Sequence, residues 1–172
     1  MEYKFLSSIT IKSEYQLWPE WASFCQNAKG KSDLEIHIVS CKNYQNGIAV
    51  LDEQPGKNIL RLNECLLGVD DAWTRAKVTS FDGNKFDVYK ILNVLILTHL
   101  SIRHAIEIHA SLVDISGRGL MFLGPSGIGK TTQAELWMKY RNAEIINGDM
   151  VFVKQEEDGF LGCGSPWHGS SP

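Results

Sequence analysis

Gly124-Pro125-Ser126-Gly127-Ile128-Gly129-Lys130-Thr131, followed by Thr132, is the stretch that decides the fold. It satisfies the pattern G-x-x-x-x-G-K-[ST], with the apolar run Leu120 to Leu123 before it and a helix-forming run from about Lys130 to Tyr140 after it. Glycines without a Cβ let successive backbone amides turn inward, which makes an anion nest at a helix N-terminus whose partial positive charge favours phosphate. Lys130 is expected to reach the β and γ phosphates and the Thr131 hydroxyl to ligate a cation. Gly124, Pro125, Ser126, Gly127, Ile128, Gly129, Lys130, Thr131 and Thr132 are therefore the expected contacts to a nucleoside triphosphate, ATP, carried with Mg2+.

Downstream, Ala134, Trp137, Met138 and Tyr140 are the expected packing positions of the helix. After Asn142-Ala143 the run Glu144-Ile145-Ile146-Asn147-Gly148-Asp149 is a short strand ending in a carboxylate. An acid at the carboxyl end of the strand next to the P-loop strand would face the phosphates, where it can hold Mg2+ or take a proton from an attacking hydroxyl. The alternative is a solvated turn aspartate. Upstream, Ile106 to Ile115, the turn Ser116-Gly117-Arg118-Gly119 and Leu120 to Leu123 read as a hairpin, so the strand feeding the P-loop pairs antiparallel with its predecessor.

Phe86 to Ala105 carries Val88, Ile91, Leu92, Leu95, Leu97 and Ile102 at helical spacing. Its most apolar part, about thirteen residues, is too short for the ~20 that span a bilayer. The first third is β-rich, with strands expected at Phe5 to Ile11, Leu34 to Val39, Gly47 to Leu51, Asn58 to Leu62 and Ala76 to Phe81. Between the first two, Leu17, Trp18, Trp21 and Phe24 fit one side of a short helix over Tyr15 to Cys25. Residues 1–84 then form a small β-rich α+β region, and 85–172 the nucleotide-binding domain.

The bulk numbers fit this division. A chain of 172 residues, 44% hydrophobic and 22% charged, has ordinary globular composition. A net charge of -3 with no long like-charge run offers no footprint for nucleic acid or for an acidic membrane. Cys25, Cys41, Cys65 and Cys163 are scattered singly, without zinc-ligand spacing. Glu2 and Lys4 interrupt any secretory signal, so a cytoplasmic location is expected.

The run IHASLVDISGRGLMFLGPSGIGKTTQAELWMKYRNAEIINGDMVFV, Ile108 to Val153, resembles the C-terminal catalytic domain of HPr serine kinase/phosphorylase. It is similar also to the wider set of kinase-like proteins that share the phosphoenolpyruvate carboxykinase nucleotide-binding fold. The matching features are His109 opening the strand, the turn at Gly117 to Gly119, the P-loop and the acidic strand end one helix later. Gly162 to Gly169, GCGSPWHG, resembles the Gly-x-Pro-Trp-x-Gly segment of less-characterised kinase-like members. The resemblance implies an α/β fold with a mixed sheet. It also implies a phosphotransferase that moves the γ-phosphoryl of ATP to a hydroxyl on a serine of a peptide, a protein or the free amino acid.

By this resemblance Asp149 and Lys130 are catalytic, Thr131 and Asp149 hold Mg2+, and His109 tunes or orients Asp149; a histidine starting a strand is as often a satisfied structural residue. Bifunctional HPr kinases usually end the acidic strand with paired aspartates; here Gly148 precedes Asp149, so the kinase half carries over and the phosphorylase half is left open. His37, His99 and His104 read as structural, Arg118 as exposed, and His168 as a residue that could approach nucleotide or acceptor. A doubly wound or carboxykinase-like sheet wants further strands and a covering helix, so the chain is expected to be truncated at its C-terminus. Assembly into a homo-oligomer is left open. Two other readings compete: a nucleotide-binding regulatory scaffold, and a carboxykinase-type reaction on a small carboxylic acid, for which Arg61, Arg75 and Arg103 supply no evident cluster.

Overall fold

In the computed structural model, residues 2–5, 9–13, 32–41 and 54–165 are described. The expected aromatic helix at Tyr15 to Cys25, the strand at Gly47 to Leu51, and Trp167 and His168 lie outside the described residues. The chain divides into two compact units, Met1–His99 and Leu100–Pro172.

Unit 1 is a six-stranded mixed sheet of β1 (Glu2–Phe5), β2 (Ile9–Ser13), β3 (Leu34–Ser40), β4 (Asn58–Leu62), β5 (Cys65–Val69) and β6 (Arg75–Ser80), in the order β1-β2-β3-β6-β5-β4. The β2–β3 and β3–β6 pairs are parallel and the others antiparallel. The single strand expected at Phe5 to Ile11 is instead the antiparallel pair β1 and β2, with Phe5 opposite Ile9. Alternation along β3 buries Leu34, Ile36 and Ile38, while β5 is buried at every position.

Helix α1 (Lys85–Ile102) starts where the Asn84 side chain accepts the Phe86 amide at 3.0 Å, an N-cap, with Asp87 in its first turn. Val88, Ile91, Leu92, Leu95 and Ile96 are buried; Ile96, rather than the expected Leu97 and Ile102, completes the stripe, and Ile102 is exposed. The helix is tied to unit 1 by Asn63 Nδ2 donating to Asp87 Oδ1 at 2.8 Å and by His99 Nδ1 donating to the Trp73 carbonyl at 3.2 Å. The boundary read near residue 84 falls at the N-terminal end of this helix, and the division into compact units falls near its C-terminal end. No helix among the described residues is long and apolar enough to cross a membrane.

Unit 2 contains β7 (Ala105–Ile115), β8 (Arg118–Leu123), α2 (Lys130–Arg141), β9 (Glu144–Asn147), β10 (Met150–Glu156) and β11 (Gly159–Gly164). β7 and β8 form the expected hairpin, Ala110 opposite Leu123 and Ile115 opposite Arg118. On its other edge β7 pairs with β9 through Leu112 to Asp114 and with β10 through Ala105 to His109, so β9 and β10 follow one line broken at Gly148-Asp149. All pairings among the described strands of this unit are antiparallel, where a mixed sheet was expected. The chain after the acid continues the sheet as the β10–β11 hairpin.

Helix α2 crosses from β8 to β9 over one face of β7. Ala134 packs there against Val113 and Ala143, with Phe122, Trp137 and Ile145 around them. Met138 and Tyr140, expected to pack, are exposed, because the residues of this small sheet meet the helix at Ala134 and Trp137. The helix ends at Asn142, left-handed at φ 53°, and the Ala143 amide reaches back to the Trp137 carbonyl at 3.3 Å. The opposite face of the sheet carries Ala110, Leu112 and Val151, with Ile108, Met121 and Val153 beside them.

Candidate functional site

The loop from Gly124 to Gly129 joins β8 to α2. Gly127 and Gly129 are left-handed, at φ 78° and 97°, which only glycine adopts without strain. Ile128 N donates to the Pro125 carbonyl at 3.3 Å, and Pro125, Ser126, Gly127 and Ile128 form the exposed crown of the loop. Lys130 is buried at the first position of the helix. Its Nζ donates to the Gly124 and Pro125 carbonyls at 3.1 and 3.2 Å, so the ammonium lies across the base of the loop. Thr131 is half-buried and Thr132 exposed on the first turn.

The acid stands across β7 from this loop. The strand that carries it, β9, is not the neighbour of the P-loop strand that the sequence suggests: it pairs with β7 rather than with β8. The acid still lies at the loop's end of the sheet: β8 and β9 are both antiparallel to β7, so they run the same way, and their carboxyl ends lie at the same end of it. At the break between β9 and β10 the Ala110 amide donates to the Asp149 carbonyl at 2.9 Å. His109 Nε2 donates to Asp149 Oδ1 at 2.9 Å. His109 is the fifth residue of β7, not its first, and faces Met150 across the ladder.

One carbonyl joins the acid's turn to the P-loop helix. Gly148 O accepts from Ser111 Oγ at 2.9 Å and from Thr131 Oγ1 at 3.4 Å. Glu107, His109 and Ser111 alternate along β7 on the face that carries Val113 and α2, forming a polar line that runs into the apolar helix contact. Glu107 Oε1 is buried and has no hydrogen-bond partner among the described residues. Burial pushes its carboxyl above the ordinary glutamate range, and the charge of Asp149 adds to the effect.

Among the described residues no group of three or more His, Cys, Asp or Glu side chains could hold a metal ion. The fit for Mg2+ is of another kind. The cation keeps several waters and takes one or two protein oxygens together with phosphate oxygens, and the Thr131 hydroxyl and the Asp149 carboxylate, flanking Gly148 O, are such a pair.

The structure thus gathers Lys130, Thr131, Gly148, Asp149, His109 and Ser111. His99 is bonded to Trp73, and His37 to Glu35 at 3.1 Å, both in unit 1. Arg61 and Arg75 lie beside Glu64 and Asp70 in that unit, and Arg118 is exposed. Ser111, Glu107 and Asn147 were not singled out in the sequence. Strand alternation from His109 points to the first two; nothing local marks Asn147.

No protein-family model matches the chain. Curated proteins do. An HPr kinase/phosphorylase of Lachnoclostridium phytofermentans is 39% identical over 56 residues, 33% of this chain and 18% of the relative. One of Listeria monocytogenes is 38% identical over 77 residues, 44% of this chain and 24% of the relative. One of Brevibacillus brevis is 39% identical over 59 residues, 34% of this chain and 19% of the relative. The matches cover about a fifth to a quarter of the length of these relatives. Over the stretch it shares with them, this chain is related at the family level to the HPr kinase/phosphorylases.

Proposed function

We propose that unit 2 binds Mg-ATP at Gly124 to Thr132 and moves the γ-phosphoryl to a hydroxyl, that of a serine in a peptide, a protein or the free amino acid. The observation that carries this reading is the shared Gly148 carbonyl, which brings the P-loop hydroxyl of Thr131 and the acid-bearing turn of Asp149 to one point. Phosphoryl transfer asks a protein for positioning and charge neutralisation more than for covalent chemistry. Lys130 leaves the loop carbonyls for the β and γ phosphates. Thr131 would hold Mg2+ together with Asp149, whose carboxylate, oriented by His109, would serve either as that ligand or as the base that takes the proton of the attacking hydroxyl. The relatives are named for HPr as well as for kinase activity; the acceptor proposed for this chain is the hydroxyl class, since the similarity covers only part of them.

The test is incubation of γ-labelled ATP and Mg2+ with free serine, serine-containing peptides, HPr and oxaloacetate, followed by separation of the products. The expected products are ADP and an acid-stable phosphoester. Turnover of oxaloacetate with no phosphoserine overturns the reading in favour of carboxykinase chemistry.

A further inference from the structure

Asn147 is the last residue of β9 and lies opposite Leu112, so its side chain belongs to the face of the sheet turned away from His109 and α2. It is nearly fully buried there. From that side its Oδ1 accepts the amides of Asp149 at 2.9 Å and Met150 at 3.1 Å. Its Nδ2 donates to the Ser165 carbonyl, just past the end of β11, at 3.1 Å. One side chain therefore satisfies two amides that the broken ladder leaves without strand partners and bonds the turn to a different strand end. The break has its own cause: β9 carries an extra residue, with Ile145 opposite Val113 and Asn147 opposite Leu112, which re-aims the chain before Gly148.

We propose that Asn147 is the positioning residue of the site: it fixes the turn carrying Asp149 from the far face of the sheet and couples the aim of that carboxylate to the end of β11 at Ser165. The turn is gripped from both faces, by Asn147 beneath and by Ser111, Thr131 and His109 above. An apolar residue at 147 would leave the part-buried Asp149 and Met150 amides without their side-chain acceptor, and the turn would relax to hydrate them. The carboxylate would then move relative to Thr131 while the P-loop stayed as it is. The kinetic consequence rests on the proposed function; the structural one does not.

The experiment compares Asn147→Ala and Asn147→Ser with the wild-type full chain, by residue-resolved amide hydrogen exchange and by transfer kinetics. In Asn147→Ala the Asp149 and Met150 amides should exchange roughly tenfold faster, with the amides of β8 and α2 unchanged. The kcat should fall roughly 10- to 100-fold, with KM for ATP within about twofold of wild type, as for a misaimed group that acts in the transition state. Asn147→Ser, whose hydroxyl can accept from the amides two and three residues on, should restore most of both. Unchanged exchange at the two amides overturns the proposal. So does faster exchange with undiminished kcat, or faster exchange spread across β7 and β10, which would make Asn147 a residue of the fold alone. If the wild-type chain transfers phosphoryl to none of the acceptors, the proposed function fails, and the exchange pattern with its rescue by serine then decides the role of Asn147.

Discussion

His109 Nε2 stands 2.9 Å from Asp149 Oδ1, a contact made between a central strand and the break in the strand beside it. A donor on one carboxylate oxygen fixes the rotation of the group and leaves the other oxygen to meet Mg2+ or an incoming hydroxyl. The two residues should therefore fail differently. Asp149→Asn should keep nucleotide binding and lose about 10²- to 10⁴-fold in transfer, the usual size of a general-base contribution. His109→Ala should lose roughly 10- to 100-fold, as for a residue that orients another. Single-turnover transfer from labelled ATP measures both. An Asp149→Asn variant at wild-type rate would reduce Asp149 to a turn residue and favour the regulatory scaffold.

Lys130→Met should weaken Mg-ATP binding with the fold intact. The ammonium's two hydrogen bonds are to the Gly124 and Pro125 carbonyls. Charged hydrogen bonds to phosphate are worth about 1.5–3 kcal/mol, so an affinity loss of roughly 10- to 100-fold is expected by calorimetric titration. Unchanged affinity in a folded variant would remove the P-loop assignment.

Gly129→Ala tests the loop's backbone. At φ 97° the residue is left-handed, and an added Cβ would meet only Thr132 Cβ, at 4.0 Å, so the cost is conformational and not a collision. About 1–3 kcal/mol is expected, divided between a lower melting temperature and weaker nucleotide binding as the loop relaxes. A variant unchanged in both would show that the loop tolerates other backbone angles.

Glu107→Gln should change how stability depends on pH. The Glu107 carboxyl is raised, first by burial and then by the charge of Asp149. A carboxyl raised in the folded state holds its proton more tightly there than in the unfolded chain. Its stabilising contribution is therefore complete below the unfolded pKa and is lost as pH rises through the folded one. Glutamine cannot lose that proton, so the variant should melt with the wild type near about pH 4 and increasingly above it toward neutrality. A gap that widens toward acid would contradict the assigned direction.

How far the site could be read from sequence depended on where its information is stored. The P-loop is local: the spacing of Gly124, Gly129 and Lys130 specifies turn, nest and cation together, and the β7–β8 hairpin follows from the turn at Ser116-Gly117. The pairing of β9 is nonlocal. Nothing in Glu144 to Asn147 says that its partner is β7 and not β8, and only the ladder shows it. β5 is not legible in the sequence because Cys65-Leu66-Leu67-Gly68-Val69 is buried on both faces and has no alternation to detect. β10 and β11 are hidden for the opposite reason, as the polar end of their hairpin, Lys154 to Glu156, looks like a loop. Asn147 looks like a turn former in Asn-Gly-Asp; its burial beneath the sheet depends on Ser165, eighteen residues away.

β7 is bonded along one edge to β8, which leads into the Gly124 to Gly129 loop, and along the other to β9, which leads into the Asp149 turn. The gap between them is two ladder spacings of about 4.8 Å each, a gauge built from backbone hydrogen bonds rather than from loops. Such a gauge cannot be tuned in small steps. A slip of one residue in β7 would send Glu107, His109 and Ser111 to the opposite face and bring Ile108, Ala110 and Leu112 under the helix, emptying the site in one move. Errors of register in the central strand are thus all-or-none.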